Sequence, residues 1–125
     1  MKRCWIGLGL LVAVLAAGIG TGVMMDRIHA PVAWRLEQAA DYAMVGLWQE
    51  AEDCSEQAWA DWDRWSHIRG SLADHGPVED AEAIFVQLPV FAAEEDIHFA
   101  ALCRELARKV YAVGEAHSFS WWNFL

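Results

Sequence analysis

The chain has 125 residues, a formal net charge of −9 and 56% hydrophobic residues. All 18 Asp and Glu residues follow Met25, against seven Lys and Arg, so everything beyond that point carries −11. A surface of that sign repels phosphate backbones, which excludes nucleic acid as a partner class.

The first element is the run Trp5 to Met25, 21 residues without a charge. As a helix it is about 30 Å long, the thickness of a bilayer's hydrocarbon core. Lys2 and Arg3 precede it and an acidic domain follows. The positive-inside rule therefore predicts a cytoplasmic amino terminus and an extracytoplasmic domain in the cell membrane. Val14-Leu15-Ala16 offers a small-residue cleavage site. The apolar run continues for nine residues beyond it without a polar region, which favours an uncleaved signal-anchor. Cys4 precedes the run, so it is not placed as a lipoprotein cysteine. Gly18 and Gly22 form a G-x-x-x-G pair beside Ala13 and Ala17. That spacing suits close packing of two helices in lipid, and hence a homodimer, although glycine is common in membrane helices generally.

Beyond the run, the hydrophobic spacing is helical throughout. Helix A is predicted from Pro31 to about Val45, and Gly46 marks a turn. Helix B runs from about Trp48 to Asp74, with Trp48, Ala51, Ala58, Trp59, Trp62, Trp65 and Leu72 on one face. His75-Gly76-Pro77 stops it and starts helix C, Val78 to Ala92, which Pro89 should kink or end early. Helix D begins near Glu94-Glu95-Asp96 and ends near Gly114, burying Phe99, Leu102, Cys103, Leu106, Val110 and Val113. The fold class is all-α: one amino-terminal transmembrane helix, then an up-down bundle of three to four helices. The expected boundaries are 1–4 cytoplasmic, 5–25 transmembrane, 26–116 bundle and 117–125 aromatic tail. A 27-residue helix B is longer than helix A by several turns. Either A continues from the membrane helix, or B bends, with Gly70 a candidate point.

The chain resembles a known pattern at Trp48 with Ala51, at Leu72-x-Asp74-His75 and Val78-Glu79, and at Leu88, Asp96, Leu102 and Leu106. Asn123-Phe124-Leu125 completes it. The resemblance is to the bacterial family called domain of unknown function 4363. It implies a small protein with one amino-terminal membrane helix, and it carries no activity or site with it. Pro77, Pro89 and the eight tryptophans depart from that pattern.

Candidate chemistry is sparse. Asp74 and His75 form a carboxylate–histidine pair that suits a general base or a metal ligand. A histidine ending helix B is equally suited to capping its carbonyls. Glu95-x-x-His98 has the spacing of di-metal bundles but lacks the second copy that such a site needs, since Asp26-x-x-His29 lies at the membrane edge. Asp63 and His67 read as a solvated pair. No nucleophile, zinc or phosphate-loop signature occurs, so no catalytic residue, metal ligand or cofactor is assigned. Equal-height counting places Cys54 and Cys103 about 21 Å apart, too far for a disulfide, and both read as small buried hydrophobes. The tryptophan stripe, Trp62 and Trp65 above all, reads as core, with an aromatic ligand pocket as the alternative. Arg69 shares that face and is placed to stack on Trp62 or Trp65. In the tail, Trp121 and Trp122 either pack on the bundle or seat in the lipid interface. The functional expectation is a membrane-anchored, non-enzymatic interaction or scaffold module with a protein partner. The alternative is a small-ligand or metal sensor built on the tryptophan face or His75.

Overall fold

A computed structural model describes residues 1–72 and 75–119, with side chains described for 1–70 and 75–115. Among the described residues every regular element is helical. α1 is one helix from Lys2 to Met44, α2 spans Trp48–Arg64, and α3 spans Ser66–Leu72. α4 covers His75–Phe85, α5 Leu88–Ala93 and α6 His98–Phe119.

Helix A is thus the continuation of the apolar helix. Pro31 lies inside α1 and does not start a new element. A proline within a helix forfeits one backbone bond, here to the Arg27 carbonyl, and costs about 3 kcal/mol. The packing around it offsets that cost. Met25, Ile28, His29, Val32, Ala33, Leu36, Ala39, Ala40 and Ala43 recur at spacings of three and four and are all buried. Each fully buried aliphatic side chain contributes about 1.5–3 kcal/mol. The apolar half of α1 is the reverse: it holds a window long and apolar enough to cross a membrane, and none of that window is buried.

The chain then turns back. Val45 ends α1, Gly46 takes φ +82°, and two bonds close the end, Gly46 N–H to the Ala43 carbonyl and Leu47 N–H to the Tyr42 carbonyl. This is a Schellman motif with glycine at its left-handed position. α2 descends along α1, and the break in helix B comes at Trp65, one turn before Gly70. α4 and α5 climb again, split at Val86-Gln87, with Pro89 in the first turn of α5 where its missing N–H costs nothing. α5 ends in a second Schellman motif, Glu95 N–H to Ala92 O and Asp96 N–H to Phe91 O. Here the left-handed residue is Glu95, at φ +50°. Helix D therefore starts at His98, four residues later than the acidic cluster suggested, and α6 runs through Gly114 to Phe119.

The result is an up-down bundle of α1, α2–α3, α4–α5 and α6. α1 is central, packing along both α2 and α6. Alanines line these contacts: Ala33, Ala39 and Ala40 on α1, Ala51 and Ala58 on α2, Ala100 and Ala107 on α6, all buried. Small side chains let the helices approach closely. Ion pairs stitch the rims, Arg35 to Asp61 at 2.9 Å across α1–α2 and Arg104 to Asp41 at 3.2 Å across α1–α6. Arg35 also donates to Gln57 Oε1.

Candidate functional site

The tryptophan stripe of α2 divides among four environments. Trp48, half-buried, meets Phe99 edge-on at 5.9 Å and closes the end of the bundle farthest from the apolar run. Trp59 leans on Phe85 at 5.2 Å and borders an open groove with Ser55, Glu56 and Leu88. Trp62 is fully buried at the other end of the bundle, 5.7 Å from Phe85 and edge-on to His29 at 5.7 Å. Trp65, half-buried, borders a separate groove against Gly20, Val23, Met24, Arg27 and Ile28. The four rings do not converge on one aromatic pocket.

Around Trp62 lies the most polar part of the core. The Arg69 guanidinium stacks on the indole, Cζ 3.7 Å from the ring centroid, and the residue is only 2% exposed. None of its three nitrogens has a hydrogen-bond partner among the described residues. Burial holds its pKa below the ordinary arginine value, against the attraction of Glu82 and Asp63. The indole N–H donates to Glu82 Oε1 at 3.5 Å, a long bond. His29 completes the group. Its Nδ1 lies 2.7 Å from the Met25 carbonyl; a carbonyl only accepts, so this nitrogen carries the proton. Gly114 of α6 covers His29 closely enough that an added Cβ would sit 3.5 Å from the His29 Cβ.

The sequence singled out Arg69 and Trp62; His29 entered it only through Asp26-x-x-His29, set aside at the membrane edge, and its burial was not foreseen because helix A was expected to start at Pro31. His75 is exposed and opens α4. Asp74, Trp121 and Trp122 lie outside the described residues. Gly18 and Gly22 are half-buried on α1, whereas Gly20 is exposed. Asp63 and His67 are exposed. Glu95 and His98 form no joint site. The His98 ring is paired with Asp96 at 2.7 Å, and Asp96 also accepts from the His98 backbone N–H at 2.9 Å. These bonds, the backbone one first, hold the Asp96 carboxyl below its usual range. Among the described residues no group of three or more His, Cys, Asp or Glu is placed to hold a metal ion.

The cysteines correct the counting argument. Trp48 opposite Phe99 puts the first turns of α2 and α6 level, so Cys54 and Cys103 come close in height. The error came from starting helix D level with residue 59, whereas α4 and α5 climb the full height of the bundle. Cys103 is buried in the core, and Cys54 packs half-buried against the same core. Both are free thiols. Burial first, and the neighbouring Cys54 second, push the Cys103 thiol up to about 12.

The far end of the bundle carries a feature that the helical pattern did not show. Met44, Val45, Leu47 and Ile97 are exposed apolar residues at the α1–α2 and α5–α6 turns. Met44 and Ile97 border one shallow groove of about 190 Å³ with Ala43, Trp48, Glu95 and Ala100. The two Schellman turns bring them together. No protein-family model matches this chain, and no curated protein or solved structure matches it either.

Proposed function

We propose that this chain is a membrane-anchored helical interaction module, held with its domain extracytoplasmic, that presents the apolar tip Met44, Val45, Leu47 and Ile97 to a protein partner. The tip carries this reading. It is a cluster of exposed apolar side chains at the end of α1 opposite the apolar run, and such clusters rimmed by polar residues mark protein contacts. Glu95 supplies part of that rim. The same helix supplies the anchor and reaches the tip, which lies about 29 Å beyond Met25. A rigid rod of that kind holds a binding surface at a fixed height. The length and apolar character of the start of α1 support a single amino-terminal membrane helix, and Lys2 and Arg3 support the orientation. A homodimer through Gly18 and Gly22 is compatible with the module.

The test is crosslinking in native membranes with the chain at its normal level, followed by mass spectrometry, for the wild type and a Val45→Glu, Ile97→Glu double variant. One stoichiometric partner, lost in the double variant, is expected. Recovery of the chain alone, or the same partner from both proteins, would overturn the tip as the binding surface. A membrane-impermeant maleimide reports orientation: Cys4 should label only after the membrane is opened.

A further inference from the structure

The foot of the bundle overlaps the apolar run. Met25 is 1% exposed, Thr21 and Gly22 are half-buried, and Trp65 of the domain reaches down to the level of Gly20 to Ile28. Between Trp65 and α1 lies a groove of about 430 Å³ bordered by Gly20, Val23, Met24, Arg27 and Ile28. That volume falls within the usual range of small-molecule sites. Its floor is bare at Gly20, where an added Cβ would meet nothing within 4 Å among the described residues. Its lower wall, Gly20, Val23 and Met24, belongs to the run that crosses the bilayer in the reading above. Its only charge is Arg27, exposed and making no ion pair among the described residues. A tryptophan and an arginine at one level, with apolar walls below, match the layering of a lipid interface.

We propose that this groove seats one phospholipid, its phosphate on the Arg27 guanidinium and an acyl chain over Gly20, Val23 and Met24. Arginine suits the phosphate because its planar fork donates two parallel bonds to it. The head group is zwitterionic. Asp26 stands beside Arg27 and the domain carries −11, so an ammonium-bearing head is favoured over an anionic one. This inference rests on the membrane-anchor reading.

The experiment is native mass spectrometry of the full chain in mild detergent, titrated with dioleoyl phosphatidylethanolamine and separately with dioleoyl phosphatidylglycerol. The wild type should retain one phosphatidylethanolamine. Arg27→Gln, which removes the cation, and Gly20→Leu, which fills the groove without entering the core, should each weaken retention roughly tenfold or more. Circular dichroism of each variant checks that the helical fold is kept. No retained lipid, or equal retention by all three proteins, would overturn the proposal, and tighter binding of phosphatidylglycerol would overturn the head-group assignment. Alkaline carbonate extraction separates the two readings. A chain that leaves the membrane overturns both, whereas one that stays inserted without retaining lipid overturns the groove alone.

Discussion

Replacing Arg69 with methionine should stabilise the bundle. The guanidinium is 2% exposed and its three nitrogens lack hydrogen-bond partners among the described residues. Each buried unsatisfied donor costs about 1–3 kcal/mol, and more on a charged group. Against this stand the stack on Trp62, worth about 2 kcal/mol when desolvated, and attraction to Glu82 and Asp63. Burial lowers the Arg69 pKa against that attraction. Methionine has similar reach, keeps a favourable contact with the indole worth about 1 kcal/mol, and carries no buried charge. The expected gain is about 1–3 kcal/mol. For a domain of about 100 residues that raises Tm by roughly 5–15 °C. Thermal unfolding of the full chain in detergent, followed by near-ultraviolet circular dichroism, reads it directly because Trp62 reports on this part of the core. A loss of more than about 1 kcal/mol would show that the guanidinium is satisfied in the native protein, and the reasoning would fail.

The two Schellman turns make opposite predictions by the same physics. Gly46→Ala should cost about 1–2 kcal/mol, and Glu95→Gly should gain about 1 kcal/mol, since an L side chain is disfavoured in the left-handed region; melting temperatures moving the same way in both variants would contradict this. Asp96→Ala should lower Tm at neutral pH. The folded carboxyl titrates below its ordinary value, so its contribution is complete above about pH 3.9 and is lost as pH falls through the folded pKa. The variant and wild type should therefore converge in strong acid, and a constant gap would rule out the carboxylate as the cause. Cys103 should resist iodoacetamide at pH 8 until the chain is denatured, because its thiol is buried and titrates near 12, whereas Cys4, exposed, should react in the detergent-solubilised chain.

The helical pattern was legible because it depends on local spacing: the buried stripe on α1, the Gly46 turn and the break near Pro89 all follow from one residue's own chemistry. What failed depended on tertiary packing. Pro31 reads as a helix start, yet α2 and α6 hold α1 intact through it. The turn at Glu95 carries no glycine to announce it, so the start of α6 was misplaced by four residues, and the Cys54–Cys103 height failed mainly because α4 and α5 climb farther than one short helix C would. Arg69 on Trp62 was legible, since both lie on one helical face. His29 was not, because its burial depends on Trp62 and Gly114 arriving from two other helices.

The most extensive packing in the bundle joins α1 to α6, the first and last of the described helices. During synthesis, α1 leaves the ribosome long before α6 exists. α2 can cover its own side of α1 at once, but the side that α6 covers waits open while more than fifty residues are added, and the loop to be closed is long. A nascent chain that stops short of α6 therefore displays an apolar face, open to chaperones and proteases. The yield of this bundle depends on how long that face is sheltered before α6 arrives.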